Sequence, residues 1–175
     1  MNILLVHPGL NILGGGEQVF FAILQSLLTE NKNLKIIILT SKINKKVLYK
    51  IDKKYYKNII IFRCDKLDIR LSFFTLYIRL FIFKLYEKFI KIRLKNIDLE
   101  IITRDIIYSV LIGDKKIAYI HYPEDFQHLE NSKGFSNFLW QIYYVPIKTY
   151  IRNVLKNVDI LLCNSNYTKK AIKRK

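Results

Sequence analysis

Six short runs of consecutive apolar residues, separated by segments with helical patterning, constrain the fold of this chain more than any other feature. The runs lie at residues 2–7, 34–40, 58–63, 98–103, 116–121 and 159–163. They are mostly continuous rather than alternating, which is typical of strands buried on both faces of a parallel sheet. Strands of this kind alternating with helices predict an α/β domain with an open, doubly wound parallel sheet. Ligands of such sheets bind beyond the carboxyl ends of the strands, which here selects the loops after His7, Thr103 and His121.

A glycine cluster lies between the first predicted strand and a predicted helix over residues 18–28. Gly14, Gly15, Gly16 and Glu17 form this turn. Glycines leave backbone N–H groups accessible at the start of a helix, where an anion or a sugar can approach closely. The alternative is a tight turn that binds no ligand. The spacing matches neither the P-loop nor the dinucleotide-binding fingerprint, which excludes both of these nucleotide sites.

The second candidate feature is the sequence His121-Tyr122-Pro123-Glu124 at the end of the fifth predicted strand. Pro123 is expected to end the strand. His121 would then face the same edge of the sheet as the glycine turn, where an imidazole can donate to a hydroxyl or phosphate and support developing charge. The alternative is a hydrogen-bonded histidine in the core. His7 also ends a predicted strand at this edge.

The segment over residues 71–95 has a strong amphipathic pattern in its second half and is apolar nearly all round in its first half. That first half is too short to span a bilayer, which takes about 20 helical residues. Three alternatives remain open: a core helix, a helix in the membrane interface with its cations toward lipid head groups, and a partner-docking surface. A core helix would bury the stripe of Leu71, Ile78, Ile82, Leu85, Phe89 and Ile92. The membrane-facing candidates are Arg79, Lys84, Lys88, Lys91 and Lys95.

Three more helices are predicted. Residues 43–56 form a lysine-rich one, and residues 135–157 form a long one that is expected to bend at Pro146. The long helix is expected to bury Ile147, Tyr150, Ile151, Val154, Leu155 and Val158. After the sixth strand, Asn164 or Ser165 can cap a helix that begins at Tyr167.

The composition points to an anionic partner. The chain has 175 residues, enough for one domain with its own core, and its formal net charge is +16. A nucleic acid, a membrane surface or a phosphorylated substrate would complement this charge, while a solvated basic surface requires no partner. Lysines are spread over every element without a nucleic-acid motif, so no nucleic-acid partner is expected. Cys64 and Cys163 are expected to be buried thiols of a cytoplasmic protein, and no metal site is expected.

Taken in order, three motifs resemble the N-terminal domain of glycosyltransferase family 4. They are the glycine turn at 14–17, the His-Tyr-Pro sequence at 121–123, and the sixth strand with the Asn-Ser-Asn-Tyr-Thr sequence that follows it, at 159–168. The resemblance covers essentially the whole chain and is greatest to the mannosyltransferases that extend dolichol-linked oligosaccharides. It implies the GT-B architecture, in which two Rossmann-like domains face a cleft. The N-terminal domain receives the acceptor, and the C-terminal domain holds the nucleotide sugar.

The resemblance also implies an activity and site residues. The activity is retaining transfer of a hexose, mannose above all, from GDP-mannose or a UDP-sugar to a lipid-linked or glycan acceptor, without a cofactor or a divalent metal. His121 would contact the transferred sugar and be important for turnover. Gly15 and Gly16 would approach the donor diphosphate or the acceptor through their N–H groups. The other residues of the substrate-binding side are Gly14, Glu17, Tyr122 and Glu124, the last of which stands where the family more often has Asp.

The donor-binding C-terminal domain of the family has no counterpart in these residues. Residues 1–175 are therefore predicted to be one acceptor-side domain, a fragment or half of a split enzyme that is inactive without a separate donor-binding chain. The expected location is the cytoplasm, with peripheral contact to an anionic membrane as one option. The alternatives are a basic nucleic-acid-binding protein and a non-catalytic subunit that anchors a partner to a membrane.

Overall fold

Six parallel strands form one sheet in a computed structural model that describes residues 1–12, 14–31, 33–44, 49, 51–64, 75–104, 106–121 and 135–173. The strands are β1 (Asn2–Val6), β2 (Lys35–Thr40), β3 (Ile59–Arg63), β4 (Leu99–Arg104), β5 (Lys115–Ile120) and β6 (Ile160–Cys163). Their order across the sheet is β3-β2-β1-β4-β5-β6, and every neighbouring pair is parallel. This order defines a Rossmann-like doubly wound sheet and confirms the predicted fold class.

The described residues form four α-helices beside the sheet: α1 (Gly15–Glu30), α2 (Thr75–Arg93), α3 (Phe135–Leu155) and α4 (Asn166–Lys173). Two short 3-10 helices lie at Lys53–Asn58 and Ile106–Tyr108. Within the described part of the chain, no helix combines the length and the apolar character that crossing a membrane requires.

The helices cover both faces of the sheet. Successive residues of a strand point to opposite faces, so each strand contributes to two cores. On one face, α1 packs against β1, β2 and β4, and the core there includes Ile3, Leu5, Phe20, Leu24, Leu28, Ile36, Ile38 and Ile101. On the other face, α2 and α3 pack side by side, and the core includes Leu4, Val6, Phe83, Ile90, Ile102, Ile147, Ile151 and Val154. Burial on both faces explains the apolar runs of the central strands β1, β2 and β4. The edge strands are less covered, since Ile60 of β3 and residues 160–162 of β6 are 38–50% exposed.

One carboxylate is buried in the centre of the sheet. Glu100 of β4 has no exposed surface, and its two oxygens accept four backbone N–H bonds of 2.8–3.3 Å from the loop before β5. The donors are Val110, Leu111, Ile112 and Gly113. A Cβ atom at position 113 would lie 2.7 Å from the Glu100 backbone nitrogen, so this position requires glycine. The bonds hold the crossover between β4 and β5, which contains a 3-10 turn where such crossovers usually have an α-helix.

The predicted helix over residues 43–56 is wrong where the structure describes it. Ile43 forms an isolated parallel bridge with Leu10, and Lys53–Asn58 is a 3-10 helix capped by Asp52. Ile51, which lies between these two features in the sequence, is buried in the core on the α1 face of the sheet. Residues 45–48 and 50 lie outside the described residues.

Helix α2 packs on the sheet, but it does not bury the whole apolar stripe that the core-helix alternative predicts. Leu85, Phe89 and Ile92 are 55%, 48% and 75% exposed, whereas Phe83 and Ile90 face the sheet. Most residues of α2 are apolar, so the sequence offers more than one apolar stripe, and packing against the sheet selects a different one. Leu71 lies outside the described residues.

The other helix predictions agree with the structure. In α3, Ile147, Ile151 and Val154 are buried, and the helix continues through Pro146. The Ser165 hydroxyl accepts the N–H of Thr168 at 3.1 Å and so caps α4. Cys64 and Cys163 are not joined in a disulfide; Cys64 is buried and Cys163 is half-buried.

Candidate functional site

The predicted catalytic and substrate-binding residues that the structure describes lie at the carboxyl edge of the sheet. The strand order reverses between β1 and β4, and doubly wound sheets form a ligand crevice where it does. The loop after β1 leads into the glycine turn, β4 ends at Arg104, and His121 directly follows β5. The sheet topology therefore brings together residues that lie more than a hundred positions apart in the chain.

The glycine turn begins α1. Gly14 is the N-cap residue, and its N–H donates to Glu17 Oε2 at 3.0 Å. A Cβ atom at position 14 would lie 2.8 Å from that oxygen, so glycine lets the carboxylate fold back onto the turn. The N–H groups of Gly15 and Gly16 are in the first turn of the helix, which offers them no acceptor of its own. They leave a partially positive helix start at the crevice.

Arg104 is the main site residue that sequence reasoning missed. Its Nη1 lies 2.9 Å from Glu17 Oε1, and a Cβ atom on Gly16 would lie 3.6 Å from its Cδ. Its backbone has φ = 78°, a left-handed conformation that costs a residue with a side chain about 1 kcal/mol or more. The loop after Thr103 was among those selected from the sequence. Arg104 directly follows that predicted strand, and its position was the available signal for a cation at the site.

Both carboxylate oxygens of Glu17 are engaged by these contacts. Its side chain is 7% exposed and accepts from both Gly14 and Arg104, while the Arg104 side chain stays 42% exposed. The carboxylate therefore fixes the turn and orients the guanidinium, and the cation keeps a surface toward solvent.

His121 lies opposite the glycine turn. A Cβ atom on Gly15 would lie 3.9 Å from His121 Cε1 and 4.0 Å from Nε2, so this edge of the ring faces the start of α1. The other ring nitrogen, Nδ1, lies 3.2 Å from Asn164 Nδ2. Asn164 Oδ1 in turn accepts the hydroxyl of the buried Thr168 at 2.8 Å. Because that bond fixes the amide, its N–H donates to Nδ1, and neutral His121 carries its proton on Nε2.

His7 lies beneath the crevice and is fully buried. Its Nδ1 accepts the N–H of Gly9 at 3.3 Å, and its ring packs edge-on against Phe20 with centroids 5.3 Å apart. Burial, and then the charge of Arg104, lower the pKa of His7 from 6.5 to about 3. Among the described residues, Nε2 has no hydrogen-bond partner. His7 is therefore a neutral structural histidine at pH 7.

Two predicted substrate-binding residues, Tyr122 and Glu124, lie outside the described residues, as does the side chain of Arg79. Lys84 and Lys91 are both ion-paired to Glu87, whereas Lys88 and Lys95 are exposed. In the described part of the chain, no three His, Cys, Asp or Glu side chains group as metal ligands do.

Donor and cationic groups converge at this edge of the sheet, and this combination suits an oxygen-rich ligand. Nε2 of His121 offers a donor from one side, and the first turn of α1 with Arg104 offers positive charge from the other.

Comparison of the chain with known protein families and with curated proteins found no match. The resemblance to glycosyltransferase family 4 therefore remains a prediction from the sequence motifs.

Proposed function

We propose that this chain is the acceptor-side half of a retaining glycosyltransferase, which transfers a hexose, mannose above all, from a nucleotide sugar to a lipid-linked or glycan acceptor. The observation that carries the proposal is the position of His121 against Gly15. Its ring edge faces the helix start across the crevice, about 4 Å from where a side chain at position 15 would begin. A larger residue at position 15 would fill the space in front of Nε2.

Each group at the edge has a role in this reaction. Nε2–H of His121 would donate to a hydroxyl of the transferred sugar and to charge that develops as the bond to the phosphate breaks. The N–H groups of Gly15 and Gly16 would meet the donor diphosphate or the acceptor. Arg104 would add a full positive charge on the same side. The family resemblance assigns the remaining donor contacts to a second domain, so the proposal includes a donor-binding partner chain.

The test is sugar transfer by the chain co-expressed with a candidate donor-binding chain. GDP-mannose and UDP-glucose, labelled in the sugar, are supplied with a membrane lipid extract, and label in the lipid and glycan fractions is measured. His121→Ala should lower the transfer rate by about 10²–10³-fold, the cost of removing one preorganised donor. The control is Asn157→Ala, an exposed residue after α3 whose side chain bonds only to the Asn153 carbonyl within the described structure. A wild-type transfer rate for His121→Ala, co-expressed with the same donor-binding chain, would show that the proposed site is not where transfer takes place.

A second variant tests how His121 is oriented. Asn164→Ala removes the donor to Nδ1 and frees the ring to take the other tautomer, so kcat should fall about tenfold or more. Because Asn164 lies behind the ring, the KM of the donor should change little. A fall in donor affinity at unchanged kcat would instead place Asn164 in direct contact with the donor.

A further inference from the structure

The two helices on one face of the sheet expose large apolar side chains toward solvent. Those of α2 recur at i, i+4, i+8 and i+11, which places them on one side of the helix. A second set lies in the first half of α3. We call this surface the outer apolar face; its members are Phe81, Leu85, Phe89 and Ile92 of α2 and Phe138, Leu139, Ile142 and Val145 of α3, each at least 47% exposed.

The two sets point in the same direction. α2 and α3 run parallel and side by side, because the hydroxyl of Tyr77 donates to the carbonyl of Tyr143 and the amine of Lys84 lies 4.7 Å from the ring centroid of Tyr150. Both helices pack on the same sheet face through buried residues on their opposite sides. The outer apolar face is therefore one continuous side of the domain, directed away from the sheet.

The charges on α2 and α3 are almost all positive. Glu87 is the one acidic residue in the sequences of α2 and α3; it is 8% exposed and pairs with Lys84 and, at 2.6 Å, with Lys91. Lys88 is exposed beside Phe89, and the guanidinium of Arg93 lies 5.5 Å from the Phe89 ring centroid. The surface thus presents aromatic and aliphatic side chains bordered by cations, without an exposed carboxylate on either helix.

We propose that the outer apolar face docks on the surface of an anionic lipid bilayer. A bilayer supplies an apolar layer directly beneath a layer of negative head groups, which matches apolar rows bordered by cations. Lysine and arginine can keep their charges among the head groups while their methylene stems follow the apolar side chains inward. The helices would lie along the interface, α2 with a length of about 28 Å at 1.5 Å per residue.

The proposal is independent of sugar transfer, because vesicle binding needs neither donor nor acceptor. The test is co-sedimentation of the full chain with vesicles of phosphatidylcholine alone and of equimolar phosphatidylcholine and phosphatidylglycerol. The wild type should bind the anionic vesicles more tightly, and salt should weaken that binding. The double variant Leu85→Gln/Phe89→Gln should lower the partition coefficient by about 10- to 100-fold, as expected for withholding two apolar side chains from the bilayer.

Two matched variants separate the apolar and electrostatic contributions. Ile12→Gln/Tyr49→Gln changes two side chains that are 78% and 75% exposed elsewhere, and should bind as the wild type does. Lys88→Glu/Lys95→Glu should lower binding to anionic vesicles about tenfold or more and leave the weak binding to phosphatidylcholine unchanged. Thermal unfolding of each variant verifies that the fold is retained.

Three results would overturn the proposal. One is wild-type affinity of Leu85→Gln/Phe89→Gln for anionic vesicles, and another is no vesicle binding by the folded wild type. The third is concentration-dependent dimerisation that the same double variant abolishes, without vesicle binding, which would make the face an interface between two copies of the chain.

Discussion

His7 makes the stability of the fold depend on pH, and the size of the effect follows from its burial. The pKa of its imidazole is lowered from 6.5 to about 3, first by burial and second by the charge of Arg104. The folded protein therefore keeps this ring neutral between pH 7 and pH 3, whereas the unfolded chain protonates it below pH 6.5. The stabilisation is fully present above pH 6.5 and is lost progressively as the pH falls toward 3.

The loss of stability is already measurable at mildly acidic pH. At pH 5 the unfolded ring is protonated and the folded ring is not, so unfolding takes up about one proton at this site. The free energy of unfolding should be about 2 kcal/mol lower at pH 5 than at pH 7 from His7 alone, since one pKa unit corresponds to about 1.4 kcal/mol. This figure does not depend on the folded pKa as long as that pKa stays below about 4.

The variant His7→Asn isolates this contribution. Asparagine can still accept the Gly9 N–H but cannot titrate in this range, so the variant should be less stable at both pH values and have a shallower pH dependence. Urea unfolding of both proteins at pH 7 and pH 5, followed by the fluorescence of Trp140, the single tryptophan, gives the four free energies of the cycle. The loss between pH 7 and pH 5 should be about 2 kcal/mol greater for the wild type. Equal losses would refute the conclusion that His7 stays neutral in the fold.

The remaining predictions concern the buried carboxylate of β4. Glu100→Gln should lower the free energy of unfolding by about 3 kcal/mol or more, because the amide nitrogen would face backbone donors; Glu30→Gln, at the exposed end of α1, is the control. Gly113→Ala should cost about 1–3 kcal/mol, because its Cβ would lie 2.7 Å from a backbone nitrogen that cannot move independently of β4. Urea unfolding measures both, and wild-type stability of either variant would contradict the described loop.

The sequence was sufficient to predict the sheet and one edge of the candidate site. Residues 36–39 of β2 are all apolar because both faces of the sheet are covered there, and this property can be recognised without any knowledge of the fold. The rule that ligands bind at the carboxyl ends of strands then placed Gly15 and His121 at one edge. In the structure the His121 ring faces the start of α1, where a Cβ atom added to Gly15 would lie 3.9 Å from its Cε1, so both residues are at the same edge of the sheet.

Other parts of the structure depend on features that a local pattern does not contain. The left-handed backbone of Arg104 and its pair with Glu17 follow from the meeting of two loops far apart in the chain. Asn164 could be expected near a helix start, but its contact with His121 depends on the pairing of β5 with β6. Glu100 is one polar residue in an apolar run, and the loop that satisfies it begins ten positions later.

The outer apolar face and the candidate site lie near the same end of the molecule. α2 runs back from the end of β3 to the start of β4, and the hydroxyl of Tyr86 bonds at 3.1 Å to the carbonyl of Arg63, the last residue of β3. The part of α2 before Tyr86, with Phe81 and Leu85, therefore lies beyond the carboxyl edge of the sheet. A domain docked through this face would hold the edge that carries His121 close to the lipid surface. An acceptor sugar carried on a lipid would then reach the crevice from the membrane to which the domain is bound, which connects the two proposals without making either depend on the other.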